Sequence, residues 1–241
     1  RKATRVRVFE VGRVFLRDPK VANSDTTVEG LHQPQRLAAV AYGPLLPLQW
    51  DAPDRPADFY DVKAEVQSLL LPAQAVYRAD EHPAMHPGRC ASVWLEGRRV
   101  GVLGELHPRW RQQWDLPQAP VMFELELDAV LQHPVPQFQS VSRQQPVERD
   151  IAIVVSETVG HDALLAAIHA APTSGLLRQA VLFDVYRPKQ AGAGLAAGEK
   201  SLAVRLTLQS EESTLTDAQI DAAVSAVIEQ VQQTLGARLR A

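Results

Sequence analysis

Residues 149–156, RDIAIVVS, alternate apolar and polar side chains, which is typical of a β-strand with one buried face. The segments QAVLFDVYR at 179–187 and SLAVRLTLQ at 201–209 repeat this alternation. The apolar sets expected to face a core are Ile151, Ile153 and Val155, then Val181, Phe183 and Val185, then Leu202, Val204, Leu206 and Leu208. Three such strands close together in the chain predict one sheet that is covered on one face.

Helix signals lie between and after these strands. A short Ala- and Leu-rich helix is predicted over residues 161–171, where a proline stops it. A longer helix follows the third strand, with a capping box from Thr216 to Gln219 and a C-terminal glycine at Gly236. Residues 237–240 are expected to add a last edge strand. The order β-α-β-β-α-β predicts a ferredoxin-like domain with both helices on one face of an antiparallel sheet.

The other face of this sheet is expected to carry the side chains of opposite parity. They are Asp184 and Tyr186 on the second strand, and Ser201, Ala203, Arg205 and Thr207 on the third. An aromatic ring can stack on a base while nearby polar groups contact the base edge. This face is therefore a candidate RNA platform, although an incidental solvent-facing tyrosine and aspartate explain the pattern equally well.

The first half of the chain predicts a mostly antiparallel sheet with helices, so the whole chain belongs to the α+β class. A strand or hairpin is predicted at residues 5–16, and strands at 36–42 and 121–128. Helices are predicted at 58–71 and 108–116, together with a hairpin that turns near Glu96 and Gly97. The Pro- and Gln-rich stretch before residue 147 is typical of a linker. We therefore expect a module at 1–137, a linker at 138–146 and the ferredoxin-like domain at 147–241.

The composition excludes several classes of protein. The 241 residues are 46% hydrophobic, and a single cysteine, Cys90, rules out an internal disulfide. No apolar run is long enough to cross a bilayer, so no membrane role is expected. The formal net charge is -3, and the acidic excess lies wholly in residues 147–241. An RNA-binding domain there must use local contacts, because it has no broadly basic surface.

Three short motifs are weaker candidates for sites. GAGLAAG, with glycines at 192, 194 and 198, precedes a strand where a phosphate loop needs a helix N-terminus, so we interpret it as a hairpin loop. EHPAMHPGR offers Glu81, His82 and His86, but its prolines predict an extended polar loop rather than a metal site. Cys90 is expected to be a small buried hydrophobe. No catalytic or metal-binding residue is predicted.

Several motifs resemble a known family along nearly the whole chain. ERDIAIVV, LFDVYR, GEKSLAVRLTLQ and TLTDAQIDAAV closely resemble the anticodon-binding domain that ends the β subunit of bacterial phenylalanyl-tRNA synthetases. FEVGRVF, DFYDVKAEV, HPAMHPGR and VGVLGELHPR resemble the catalytic-like module that precedes it. The resemblance implies a class II synthetase-like module that builds subunit interfaces without catalytic motifs. That module is expected to be truncated at its start, with the editing domain and the magnesium-binding segment upstream of Arg1.

The resemblance also implies partners and roles. The family enzyme is a cytoplasmic α2β2 heterotetramer that joins phenylalanine to tRNA(Phe) with ATP and Mg²⁺ in the α subunit, so this segment itself needs no cofactor. By resemblance, Asp184, Tyr186 and Ser201 face the anticodon bases, and we expect Lys200 and Arg205 to meet phosphates. Two departures from the family pattern are the long loop at residues 187–200 and Glu148, where an arginine is usual.

Two alternative functions remain open on the sequence alone. A βαββαβ domain of this kind is also found as an amino-acid-binding regulatory module, and it can serve purely for oligomerisation. Binding of phenylalanine would favour the first alternative, and self-association in solution would favour the second.

Overall fold

The computed structural model describes residues 3–132, 135, 138, 141–187 and 195–240. The chain divides into two compact units, Arg1–Pro136 and Gln137–Ala241, each with its own sheet and hydrophobic core. Both sheets are antiparallel and both carry helices, so the predicted α+β class is confirmed.

The first unit is built on a six-stranded antiparallel sheet. The strands of the whole unit, including two that lie outside this sheet, are β1 (Val6–Arg13), β2 (Leu16–Arg17), β3 (Leu31–His32), β4 (Gln35–Tyr42), β5 (Val76–Ala79), β6 (Met85–Leu95), β7 (Arg98–Leu106) and β8 (Val121–Glu126). Its helices are α1 (Phe59–Leu70), α2 (Pro108–Gln113) and α3 (Leu127–Leu131). The strand order is β1-β4-β8-β7-β6-β5, while β2 and β3 form a separate pair. Strands β1 and β5 are therefore the two edges of the large sheet.

Helix α1 covers this sheet for reasons that are visible in its sequence. Asp58 caps the helix by accepting hydrogen bonds from the backbone N–H groups of Tyr60 and Asp61, and the Asp61 side chain completes the capping box. Its apolar stripe buries Val62 and Val66 completely. A salt bridge of 2.7 Å from Arg55 to Asp61 also holds this end of the helix. The hydrogen bond from Arg55 is the main cause that lowers the pKa of Asp61 to about 2.

The hairpin between β6 and β7 turns where the sequence predicts. Glu96 and Gly97 both have positive φ angles, 49° and 79°, as a tight two-residue turn requires. The residues EHPAMHPGR were predicted to be a loop, and this was wrong for their second half. Strand β6 already begins at Met85, and Pro87 lies where its pairing with β7 is irregular, between Met85 and Cys90.

The second unit has the predicted ferredoxin-like topology. Its elements are β9 (Val147–Ser156), α4 (His161–His169), β10 (Leu177–Tyr186), β11 (Glu199–Leu208), α5 (Asp217–Leu235) and β12 (Arg238–Leu239). The sheet order is β10-β11-β9-β12, and every neighbouring pair is antiparallel. Helices α4 and α5 contribute their apolar stripes to one core together with the strands. The opposite face of the sheet, which the helices do not cover, is called the open face below.

The ends of α5 follow the capping signals in its sequence. The Thr216 hydroxyl accepts a hydrogen bond from the backbone N–H of Gln219, and the Gln219 side chain accepts one from the backbone N–H of Thr216. Gly236 ends the helix in the left-handed conformation with φ of 62°. The glycine thus lets the chain reverse into β12, so the predicted last edge strand is confirmed.

One prediction about β10 was wrong. Val181 and Phe183 were expected in the core, but they are 41% and 53% exposed. The register between β10 and β11 shifts between Leu182 and Asp184, which makes Phe183 the extra residue of a β-bulge. Before the bulge Leu182 faces the helices, and after it Val185 does so, because each lies opposite a core residue of β11. The bulge therefore reverses the parity of the strand in its middle.

The segment before β9 also differs in part from a free linker. Ser142 donates a hydrogen bond of 3.0 Å to the carbonyl oxygen of Ser210. The side-chain amide of Gln209 donates one of 2.6 Å to the carbonyl oxygen of Gln144. The end of the predicted linker is thus attached to the second unit. Half of the predicted loop at 187–200, including the glycines at 192 and 194, lies outside the described residues.

Candidate RNA-binding face

The open face brings together side chains from all four strands of the second unit. Antiparallel register places side chains that lie directly opposite each other on the same face. Tyr186 lies opposite Ser201, and Asp184 lies opposite Ala203. On the other side of β11, Ser201 lies opposite Val154 of β9. The predicted group of Asp184, Tyr186 and Ser201 therefore occupies one end of the open face.

These three residues differ in accessibility. Asp184 is exposed, and the Tyr186 side chain remains 40% exposed at the edge of the sheet. Ser201 is only 3% exposed although it belongs to the same face. Tyr186 and Asp184 are thus open to a ligand as they stand, whereas neighbouring side chains must move before a base can reach Ser201.

Arg205 lies on the open face but is already paired. Its guanidinium donates two hydrogen bonds to Asp150, of 2.8 and 2.9 Å, and lies 3.3 Å from a carboxylate oxygen of Glu148. The hydrogen bond to Asp150 is the main cause that raises the pKa of Arg205, and the same bond lowers the pKa of Asp150. The guanidinium also lies 5.5 Å from the ring of Phe183. A phosphate must therefore compete with two carboxylates for this arginine.

Lys200 does not belong to the open face. It lies opposite the core residue Val155, so its side chain projects on the helix-covered side of the sheet, and it is 7% exposed. Its ammonium group donates a hydrogen bond of 2.9 Å to the carbonyl oxygen of Glu157. The predicted phosphate contact through Lys200 is therefore wrong for this geometry. The cause is parity, because Lys200 and Leu202 point to the same side of β11.

The end of the chain supplies a residue that the sequence analysis missed. The guanidinium of Arg240 lies 4.9 Å from the centre of the Tyr186 ring, which is within the range of a cation–π contact. Within the described ranges no carboxylate pairs with Arg240. By contrast, Glu199 forms a salt bridge with Arg238, and Glu157 forms one with Arg187. Arg240 is thus the arginine beside Tyr186 whose charge is not neutralised by an acidic side chain.

Sequence signals for the missed residues do exist. Alternation along β9 places Glu148 and Asp150 on the open face, and the same rule applied to the last strand places Arg240 there. Phe183 had no such signal, because nothing in its local alternation marks the bulge.

The ion pair of Arg205 leads to a test of charge on this face. Replacing both Asp150 by asparagine and Glu148 by glutamine is expected to free the arginine from its two carboxylate partners, so RNA binding to the chain becomes tighter and more dependent on salt. For one added phosphate contact, the slope of log affinity against log salt should steepen by about 0.7 to 0.9. Titrations of a stem-loop RNA at several salt concentrations measure this slope. Asp162→Asn, which removes an exposed carboxylate from α4, should leave it unchanged, and equal slopes for both variants would contradict the expectation.

The other candidate sites bring no further chemistry together. Cys90 is 7% exposed and packs with Met85 and Val102, which confirms the prediction of a small buried hydrophobe. Burial is the main cause that raises the pKa of its thiol. In the part of the chain that the structure describes, no group of three or more His, Cys, Asp or Glu side chains is arranged to hold a metal ion. Every helix described here is too short or too polar to span a membrane.

Comparison with known proteins agrees with this geometry. A family model for the phenylalanyl-tRNA synthetase β chain CLM domain matches residues 1–127. A family model for the ferredoxin-fold anticodon-binding domain matches residues 142–240, which include the whole open face.

Curated relatives match the entire chain. Proteins named phenylalanine–tRNA ligase β subunit are 50% identical over 245 residues in Ralstonia nicotianae, 48% over 244 in Burkholderia lata and 45% over 241 in Dechloromonas aromatica. In each comparison the whole chain is covered, but it spans only about 30% of the length of the relative. The resemblance noted in the sequence is thus confirmed: the chain belongs to the phenylalanyl-tRNA synthetase β chain family, with a CLM domain followed by a ferredoxin-fold anticodon-binding domain.

Proposed function

We propose that this chain binds the anticodon of tRNA(Phe) and takes part in subunit assembly within a phenylalanine–tRNA ligase. The observation that carries the proposal is the position of Tyr186 on the open face, opposite Ser201 and beside Asp184, in a unit that matches an anticodon-binding family. In this proposal the chain contributes no catalytic residue. Aminoacylation with ATP and Mg²⁺ belongs to the α subunit of a cytoplasmic α2β2 enzyme.

Each residue has a distinct role in the proposed contact. The exposed ring of Tyr186 stacks on one anticodon base, which is a common way to hold an unpaired base. The Asp184 carboxylate only accepts hydrogen bonds when it is ionised, so it selects a base edge that presents an amino group. The Ser201 hydroxyl both donates and accepts, and it contacts the base edge after its neighbours move. Arg240 replaces Lys200 as the free cation near the ring.

The charges of the open face fit base reading better than tight electrostatic binding. Asp150 and Glu148 neutralise Arg205, and Glu199 neutralises Arg238. Few free cations are left for phosphates, so the affinity of the isolated unit for arbitrary RNA should be low. Recognition then depends on stacking and on hydrogen bonds to base edges, both of which vary with the anticodon. The intact enzyme supplies the remaining affinity through its other tRNA contacts.

The first unit supports the assembly part of the proposal. Strand β1 is an unpaired sheet edge, and five large apolar side chains on and after it are strongly exposed: Val8, Phe9, Val11, Phe15 and Leu16. A groove of about 890 Å³ runs beside it, between β1, β4 and α1. An edge strand with this many exposed apolar side chains is typical of a surface that a protein partner covers. We accordingly assign this unit as a non-catalytic, class II synthetase-like module that is covered by another part of the enzyme.

Backbone NMR of the 241-residue chain tests the anticodon contact directly. Titration with the anticodon stem-loop of tRNA(Phe) is expected to shift the signals of Asp184, Tyr186, Ser201 and Arg240, while the same stem with a scrambled loop shifts them much less. Phenylalanine is expected to leave all of them unchanged, which separates this function from that of an amino-acid-binding regulatory domain. Equal shifts with both loops would show that the open face does not read bases.

A further inference from the structure

A second aromatic group lies in the first unit, on and just after the short helix α2. The rings of Trp110 and Trp114 stack with their centres 5.9 Å apart and their planes 25° from parallel. The guanidinium of Arg109 lies 4.3 Å from the ring of Trp110. These three side chains are called the indole stack below. Arg109 makes a cation–π contact with Trp110, and Trp110 stacks on Trp114.

The backbone holds the indole stack in place at both ends. At the start of α2, the His107 side chain accepts a hydrogen bond of 3.0 Å from the backbone N–H of Arg109. At the end, the N–H groups of Asp115 and Leu116 return to the carbonyl oxygens of Gln112 and Arg111. This closure requires a left-handed residue, and Asp115 supplies it with φ of 49°. The two indoles are thus arranged before any ligand arrives.

The indole stack is nevertheless not part of a core. Helix α2 has no buried residue, and the Trp114 side chain is 57% exposed. Covering an exposed indole that is already held in place removes apolar surface from water at little cost in side-chain ordering. The outer side of Trp114 therefore offers a flat apolar surface for a further planar group.

The charges around the indole stack favour an anionic partner. Among the described residues, neither Arg109 nor Arg111 forms a salt bridge with a carboxylate. The Arg111 guanidinium donates instead to the carbonyl oxygens of Leu116 and Pro117, at 3.1 and 2.6 Å. Asp115 is the one acidic side chain within this stretch of sequence, so a net positive charge remains beside the rings. Aromatic planes next to uncompensated arginines are the combination that binds single-stranded nucleic acid.

We propose that the indole stack binds an unpaired nucleotide of RNA, with its base stacked on Trp114 and its phosphate near Arg109 and Arg111. The site consists of first-unit residues and shares none with the open face, and the nucleotide that we propose for it lies outside the anticodon. The identification of this RNA as the tRNA of the ligase rests on the function proposed above. The chemistry of the site itself, a base plane and a phosphate, does not depend on it.

The test uses the complete α and β subunits together and measures the dissociation constant of tRNA(Phe). Trp114→Ala is expected to weaken binding by about 5- to 150-fold, as loss of one base–aromatic stack does, and Trp114→Phe should recover part of the loss. Trp50→Ala is the matched control, because Trp50 is 89% exposed and has no aromatic or arginine partner among the described contacts. Arg109→Gln is expected to reduce the salt dependence of binding.

A second RNA separates this proposal from the anticodon contact. With a tRNA of altered anticodon, Trp114→Ala should cause the same fold-loss as with tRNA(Phe), whereas Tyr186→Ala should have little effect. If only the Tyr186 variant weakens binding, the indole stack does not bind RNA and the anticodon proposal stands. If Trp114→Ala instead lowers the mass of the α–β assembly in solution, the stack covers a protein interface and the RNA proposal is overturned.

Discussion

Replacing Tyr186 by alanine in the β subunit is expected to raise the KM of aminoacylation for tRNA(Phe) by roughly 5- to 150-fold. The change removes a base stack that contributes about 1–3 kcal/mol by alanine substitution, and about 1.4 kcal/mol corresponds to a factor of ten. Because the proposed function assigns the reaction to the α subunit, we expect this contact to bind the substrate and the transition state equally. The value of kcat should therefore change little.

Two controls make this result specific to stacking. Tyr186→Phe keeps the ring and should keep most of the affinity, which separates stacking from a role of the hydroxyl. Tyr60→Ala removes a tyrosine of the first unit that is 74% exposed and should leave the KM unchanged. An unaltered KM for Tyr186→Ala, measured at a tRNA concentration well below saturation, would exclude the ring from anticodon binding.

The second large effect concerns Gly101, in the middle of the sheet of the first unit. Adding a Cβ at this position would bring it against the carbonyl oxygen of Glu124 on β8 and to 2.6 Å from a methyl carbon of Leu125. The contacts are with a neighbouring strand and a fully buried side chain, so they cannot relax without separating β7 from β8. Gly101→Ala is expected to lower the free energy of unfolding of the first unit by about 3 kcal/mol, at the upper end of the usual range for overpacking.

Tryptophan fluorescence during urea unfolding measures this change. All four tryptophans, at 50, 94, 110 and 114, lie in the first unit, so the signal reports on that unit alone. Gly12→Ala is the control, because the nearest atom to a Cβ there is the end of the Glu10 side chain at 3.8 Å. Equal unfolding midpoints for the two variants would show that β7 and β8 can separate at little cost.

The regular elements of this chain could be predicted because their signals are local. The capping box at Thr216, the glycine at position 236 and the tight turn at Glu96 all depend on residues within one turn of the backbone, and all three are confirmed. The order of strands and helices then leaves few possible topologies, and the ferredoxin-like arrangement is the one observed. Local preference and tertiary structure agree at these positions.

The bulge in β10 could not be predicted in this way. Val181, Phe183 and Val185 alternate with other residues as the side chains of a core strand do. Val181 and Phe183 nevertheless do not face the core. What decides their direction is the pairing with β11, which lies in a different part of the sequence. Asp184 and Tyr186 were assigned to the open face correctly only because they follow the bulge.

The candidate site could be predicted only in part for a similar reason. Parity places Ser201 and Arg205 on the open face, but it does not reveal that Asp150 pairs with the arginine across β9. Arg240 reaches Tyr186 from a strand at the other end of the sheet, across β9 and β11. Contacts of this kind depend on the sheet order, which a short window of sequence does not encode.

The bulge at Phe183 also has a consequence for the solubility of the protein. Strand β10 is an edge of its sheet, and three of its apolar side chains are exposed there: Val181, Phe183 and Val185. A straight apolar edge strand has unpaired backbone groups that can pair with the same strand of another molecule, and such pairing often begins aggregation. A bulge interrupts the ladder and twists the strand, so a second chain cannot continue the pairing. The same extra residue that places Tyr186 on the open face thus discourages self-association.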